Sequence, residues 1–494
     1  QKQLQLQLQP KTNTGKSQSK MSMYEDGIDG DSLMEVVARS VKHIDVGAAV
    51  LPKPLFKKDI DEKLIGDESS DEGGVDLELD DDDDDGGGEG GNNGQIDLLG
   101  GGVDDGGVDG GGAVDTTREG RAPEYYDVSP RIPTRYAKTL RREFNAVVVE
   151  HHLKWAPLCV SDPGPGATLS FASQPITRLG MYDFHHVDSI VDWALKHGKK
   201  VKGHVLVWHV SSPEHILEAM DPEEVREQLR RHIFTTMGHF RGRIHVWDVV
   251  NEALAPDGTL AENIFWRKLG PSYIEECFRW AHQADPDAIL LYNDNKVEGM
   301  NGPNKQKSDG FYHLLADLLA KGVPVHGCGI QAHFNAAGTG RNRPPTPRMV
   351  KNQIHRLGQL GLKVNISEMD VRVSQLPPNL REIAQRQIYH DIIAAALTEQ
   401  AFDGVWLWGV SDRHSWVSHF YYDDEPLVFD EDYARKEAYY GLRDALATIT
   451  SEGTVGGKVP LEMDEDDDGN SWGHVWMQPE PAHPGSIETR NSFN

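Results

Sequence analysis

IHVWDVVNE, residues 244–252, runs from β-branched and aromatic residues into an amide and a carboxylate. Its composition suits a strand buried on both faces, and its last two residues are polar. The same kind of run recurs at VKGHVLVWH (201–209), AILLYND (288–294), PVHGCGIQAH (324–333), KVNISEMD (363–370) and GVWLWG (404–409), starting roughly every 35–45 residues. VVVE (147–150) precedes them. Between runs lie stretches with apolar spacings of three and four, such as 185–200 and 221–240, the second opened by Asp-Pro. Alternating strand and helix imply a parallel sheet covered by helices. The predicted fold is therefore α/β, a (β/α)8 TIM barrel. Seven strands follow residue 140, and the eighth is assigned upstream to HIDVGAAV (43–50).

That assignment places an unusual stretch inside the first βα unit. Residues 59–121 are Gly/Asp-rich, with six consecutive aspartates from Asp80 to Asp85. Between Asp59 and Asp115 there are 21 acidic residues and one Lys, which is most of the net charge of −28. Such a sequence buries too little apolar surface to offset its ordering entropy and is expected to be a disordered insertion. Long insertions are tolerated because closure entropy grows slowly with loop length. The run has no calcium-loop spacing, so a solvated polyanion is expected. Residues 1–31 are Gln/Lys/Ser-rich, and 449–494 carry another acidic run and a Pro/Gly-rich end; both are assigned outside the barrel of 32–448. On length alone, two medium domains would fit as well as one barrel.

Composition excludes some functions. The acidic balance argues against nucleic acid, which would be repelled, and no apolar run is long enough to cross a membrane. Cys159, Cys277 and Cys328 give no metal spacing and cannot all pair, so they neither demand nor exclude an oxidising compartment. The histidine pairs 151–152 and 185–186 lack HExxH or Cys/His spacing, so no metal and no cofactor are expected. No secretory apolar region opens the sequence.

In barrels of this type catalytic groups sit at the carboxyl ends of strands. Here Asn251-Glu252, Glu368-Met369-Asp370, Gln331 with His333, and His209 all occupy such ends. Two glutamates on separate strands suit glycoside hydrolysis, which needs one acid and one nucleophile or base. Bare spacing alone leaves solvated loop carboxylates as an open alternative.

WDVVNEAL (247–254) and VNISEMDV (364–371) resemble the acid/base and nucleophile motifs of glycoside hydrolase family 10, the xylanase family. GHVLVWH (203–209), GIQAHF (329–334) and WLWGVSDRHSW (406–416) resemble its third-, sixth- and eighth-strand motifs, and YDF (182–184) its approach to strand three. The resemblance spans roughly residues 40–448 and implies a retaining endo-β-1,4-xylanase. By it, Glu368 is the nucleophile and Glu252 the acid/base, carrying a proton at rest. Asn251 would hold the sugar 2-OH, while His333, oriented by Asp370, would hold Glu368; Gln331 would reach sugar hydroxyls. The resemblance further implies glycone binding by Glu150, His151, Lys154 and His209, with Trp408 and Trp416 as apolar faces. Two departures stand out: His151 replaces an Asn of the family pattern, and His215 stands where the family often has Trp.

Trp208, Trp247 and Trp406 are expected to pack between barrel and helices, and Tyr292 to Asn295 to hold a loop or meet sugar. The rival readings are a β-glucanase or cellulase on the same barrel and a carbohydrate-binding barrel without catalysis. The expected partner is xylan or a xylo-oligosaccharide, the expected state a monomer. The resemblance and the polymeric substrate together imply an extracellular location.

Overall fold

Eight parallel strands close on themselves: β1 (Asp45–Val50), β2 (Ala146–Val149), β3 (Lys200–Gly203), β4 (Val246–Asn251), β5 (Ile289–Asp294), β6 (Gly327–Ile330), β7 (Lys363–Arg372) and β8 (Phe402–Leu407). The computed structural model describes residues 32–38, 44–56, 133–160, 179, 181–420 and 423–448. Each strand pairs with the next, and β1 closes the ring against β8 with Asp45 opposite Gly404. The strand expected upstream of the acidic stretch is thus the first barrel strand. Residues 1–31, 59–121 and 449–494, for which disorder or a tail was expected, lie outside the described residues.

The helices follow their sequence signals. Asp221 accepts the amides of Glu223 and Glu224 at 3.0 and 2.9 Å, and Glu224 returns a bond to the Asp221 amide, closing a capping box with Pro222 behind it. Thr134 and Thr346 cap the helices Arg135–Glu143 and Pro347–Gln359 more simply, each accepting one amide, of Ala137 and of Met349.

Alternation along the strands divides the core in two. Val46, Ala48 and Val50 join the large apolar layer between barrel and helices. Ala49, Ala146, Val148, Trp406 and Trp408 form a separate cluster inside the ring. Trp406 therefore fills the barrel instead of packing outside it as expected, and Gly47 makes room for it: a Cβ there would lie 2.2 Å from its indole. Trp247 does pack outward, buried against Phe240.

The two ends of the described barrel are tied at one buried carboxylate. Glu143 accepts the Leu33 amide at 3.0 Å, the Tyr439 hydroxyl at 2.9 Å, Arg435 at 2.9 Å and Arg142 at 2.7 Å. These bonds hold the helix Leu33–Ala38, just before β1, to the last helix, Glu437–Ala447.

Candidate active site

β4, β5, β6 and β7 bring their polar ends together at one face of the barrel. After Gln331 the chain turns at Ala332, which adopts a φ of +66°, and runs beside the end of β7 with His333 opposite Asp370. This turn sets the imidazole between two carboxylates. His333 Nδ1 lies 2.8 Å from Asp370 Oδ2, and Nε2 lies 3.2 Å from Glu368 Oε2. Burial alone would push the imidazole pKa down, but Asp370 and then Glu368 raise it to about 10. His333 is thus a cation at neutral pH and donates from both nitrogens.

Glu368 is buried in β7 and accepts the Asn293 amide at 2.6 Å as well as His333. Burial pushes its carboxyl up, yet the His333 hydrogen bond, the electrostatic pull of His204 and His333, and the Lys202 charge together hold it at about 2. The last of these charges comes from inside the barrel, where Lys202 Nζ and His204 Nδ1 each lie 3.0 Å from Asp248 Oδ2. This interior cluster was missed in the sequence. Its signal is the spacing of Lys202 and His204, two apart and so on one strand face.

Glu252 is held differently. Its backbone has a φ of +51°, in the left-handed region that a side-chain-bearing residue rarely enters. Gln331 donates to its Oε1 at 2.8 Å and the Trp208 indole to its Oε2 at 2.9 Å. Trp208 is expected to pack between barrel and helices; instead its ring lies under Lys154 Nζ, 4.7 Å above it, and its indole N–H donates to Glu252.

One amide network joins the two glutamates. Asn251 Oδ1 accepts Asn293 at 2.8 Å and Gln331 at 3.3 Å, while Asn293 Oδ1 accepts the Ser367 hydroxyl at 2.6 Å. The Asn251 oxygen is thus taken twice, which leaves its NH2 as the group available for donation. Gly329 permits this packing, since a Cβ there would sit 2.1 Å from Asn293 Oδ1. Asn293, left open between loop and ligand, is the bridge.

The remaining residues line the neighbouring space. Glu150 is buried at the end of β2; burial, opposed by Lys154 but reinforced by Glu368 and Asp370, raises its carboxyl to about 7. Burial lowers the Lys154 pKa against the pull of Glu368, Glu150 and Glu252. Burial lowers that of His209 as well, and its Nδ1 has no hydrogen-bond partner among the described residues. Trp416 is half-buried and donates to Asp370 at 2.8 Å, whereas Trp408 is buried, edge-on to His204. His151 is exposed, its ring 5.5 Å from His152, and His152 is 4.8 Å from His186. His215 is exposed on the helix Glu214–Glu218. Among the described residues no group of three His, Cys, Asp or Glu could hold a metal ion, and the three cysteines are free and buried.

Residues 118–445 match the sequence profile of glycosyl hydrolase family 10. The chain belongs to glycosyl hydrolase family 10. The family match begins beyond β1, the strand that completes this family 10 barrel. The chain is 34% identical over 316 residues to endo-1,4-beta-xylanase B of Thermotoga neapolitana, covering 63% of this chain and 83% of that protein. It is 34% identical over 323 residues to a beta-1,4-xylanase of Dictyoglomus thermophilum, covering 62% and 83%. Among solved structures it resembles xylanase 10B of Thermotoga petrophila in complex with xylobiose, with a TM-score of 0.55, 34% identity, and coverage of 63% and 88%. These likenesses agree with the expected family and with the (β/α)8 fold.

Proposed function

We propose that this family 10 chain is a retaining endo-β-1,4-xylanase that works outside the cell as a monomer. The observation that carries the mechanism is the contrast between its two glutamates. Glu368 accepts the His333 imidazolium and the Asn293 amide, and Lys202 acts on it from inside the barrel; together these keep it ionised, as a nucleophile requires. Glu252 faces an amide and an indole N–H, with no cation hydrogen-bonded to it among the described residues. Glu368 attacks the anomeric carbon while Glu252 gives its proton to the leaving glycosidic oxygen. Glu252 then takes a proton from the water that releases the glycosyl-enzyme intermediate, so the anomeric configuration is retained. Asn251 donates to the 2-OH beside the reacting carbon, a bond that strengthens as the oxocarbenium ion forms. Glu150, Lys154 and His209 bind the glycone, and Trp416 offers an apolar face to a sugar ring.

The reading of the substrate is supported by relatives named as xylanases. The test is reducing-sugar release from xylan, with carboxymethyl-cellulose beside it, by the wild type and by Glu368→Ala. The proposal expects xylan cleavage that the substitution abolishes, with little release from cellulose. Preferential cleavage of cellulose would overturn the substrate, and an inactive folded wild type would favour the binding barrel.

A further inference from the structure

The end of β5 holds a buried ion pair that the chemistry above does not use. Asp294 is wholly buried, and its Oδ1 lies 2.9 Å from Nζ of Lys307, a buried residue on the helix Lys305–Ala320. Lys307 also donates to Asn295 Oδ1 at 2.6 Å, and the Asn295 amide donates to Asp294 Oδ1 at 2.9 Å. The other oxygen of Asp294 accepts the Tyr292 hydroxyl at 2.6 Å and the Leu254 amide at 3.4 Å. The Tyr292 hydroxyl in turn accepts the Ala253 amide at 3.2 Å, and the Asn293 carbonyl accepts the Glu252 amide at 3.0 Å. Three consecutive amides, those of residues 252, 253 and 254, are therefore fixed by three consecutive residues, 292 to 294.

The turn they fix is the one at which Glu252 takes its positive φ. A strained backbone persists only where its surroundings over-determine it, and such strain gathers at functional sites. We propose that Asp294, charge-balanced by Lys307 and completed by Tyr292, is a positioning clamp that holds the Glu252 turn and so aims the acid/base carboxyl at the glycosidic oxygen. The inference rests on the role given to Glu252 above. A carboxylate is required at 294 because four donors converge on its two oxygens. An asparagine would offer one acceptor oxygen and turn an NH2 against the remaining donors. Lys307 is required because an unbalanced buried anion this close to Glu252 would be costly. Burial pushes the Asp294 carboxyl up, and Lys307, then Tyr292, draw it back.

The clamp predicts a defect confined to proton transfer. Hydrolysis of an aryl β-xylobioside with a phenol leaving group needs the acid, whereas a dinitrophenol departs without it. kcat/KM for both substrates would be compared in wild type, Tyr292→Phe, Asp294→Asn and Lys307→Met. The expected result is a loss of about 10- to 100-fold on the phenyl substrate and a change of less than about threefold on the dinitrophenyl one, because misaiming an acid forfeits its own contribution. Tyr292→Phe removes one hydroxyl and keeps the ring, so it remains informative if a charge variant does not fold. A kcat/KM ratio unchanged in the folded variants, whether both substrates suffer equally or neither does, overturns the clamp alone. A wild type inactive on both substrates overturns the functional reading, and the clamp with it.

Discussion

Replacing His333 by alanine removes the cation that joins the nucleophile to Asp370, and the size of the effect follows from the site. Glu368 titrates at about 2, against 4.5 for an ordinary glutamate, a difference worth about 3 kcal/mol in favour of the ionised form. His333 moves further, from 6.5 to about 10, but Asp370 contributes to that displacement, so the Glu368 value describes the pair better. His204 and Lys202 remain in the variant and continue to favour ionisation, whereas the burial that opposes it is unchanged. The Glu368 pKa is expected to rise by at least about one to two units, the part carried by the lost hydrogen bond and charge. The assay is the pH dependence of inactivation by a 2-deoxy-2-fluoro xylobioside with a dinitrophenol leaving group, which needs an ionised nucleophile and no acid. Glu150 titrates in both proteins, so their difference isolates Glu368. At about pH 3 the variant should be trapped about two- to tenfold more slowly than wild type, a deficit that vanishes by pH 7. Identical acid limbs in the two proteins would refute the account. The same pair bears on stability. The Glu368 contribution is complete above 4.5 and lost as pH falls toward about 2; that of His333 is complete below 6.5 and lost as pH rises through about 10. The stability deficit of His333→Ala should therefore be largest between those limits, at pH 4.5 to 6.5.

Glu143→Ala should lower unfolding free energy by about 3 kcal/mol, because it removes a buried carboxylate that accepts from half-buried Arg435, buried Tyr439 and the Leu33 amide; denaturant titration checks this, and kcat of the folded enzyme should hold. Gly329→Ala drives a methyl into Asn293, so kcat should fall by about tenfold or more with only about 1–3 kcal/mol lost in stability, read by kinetics beside thermal melting. Trp416→Phe keeps a ring but deletes the N–H that donates to Asp370. It should leave KM within about threefold and reduce kcat, since the loss falls on orientation of His333.

The fold was legible because the strand runs are short, evenly spaced and end in polar residues. HIDVGAAV was assignable as β1 by the requirement that the ring close. Glu252, Glu368, His333 and Asp370 were legible through the resemblance, and the structure brings them into one network. Trp406 and Trp208 were misplaced for a physical reason. Barrel strands are buried on both faces, so an apolar residue does not say whether it points to the helices or inward. The positive φ of Glu252 was hidden as well, because it is imposed by Asn293 and Asp294 on a neighbouring strand and leaves no trace in local composition.

Closure of the ring through β1 and β8 also bears on how the enzyme comes into being at the ribosome. β1 emerges first, yet its partner β8 is nearly the last strand made, and the Glu143 clasp needs Tyr439, later still. Sequence-distant pairing of this kind is slow and leaves edges exposed until it is complete. A nascent chain that already carries both glutamates still lacks Trp408, Trp416 and the sealed barrel behind them. Hydrolytic competence is thus deferred until β8 and the residues behind it have been made, and during that interval β1 waits with one edge unpaired for the strand that will cover it.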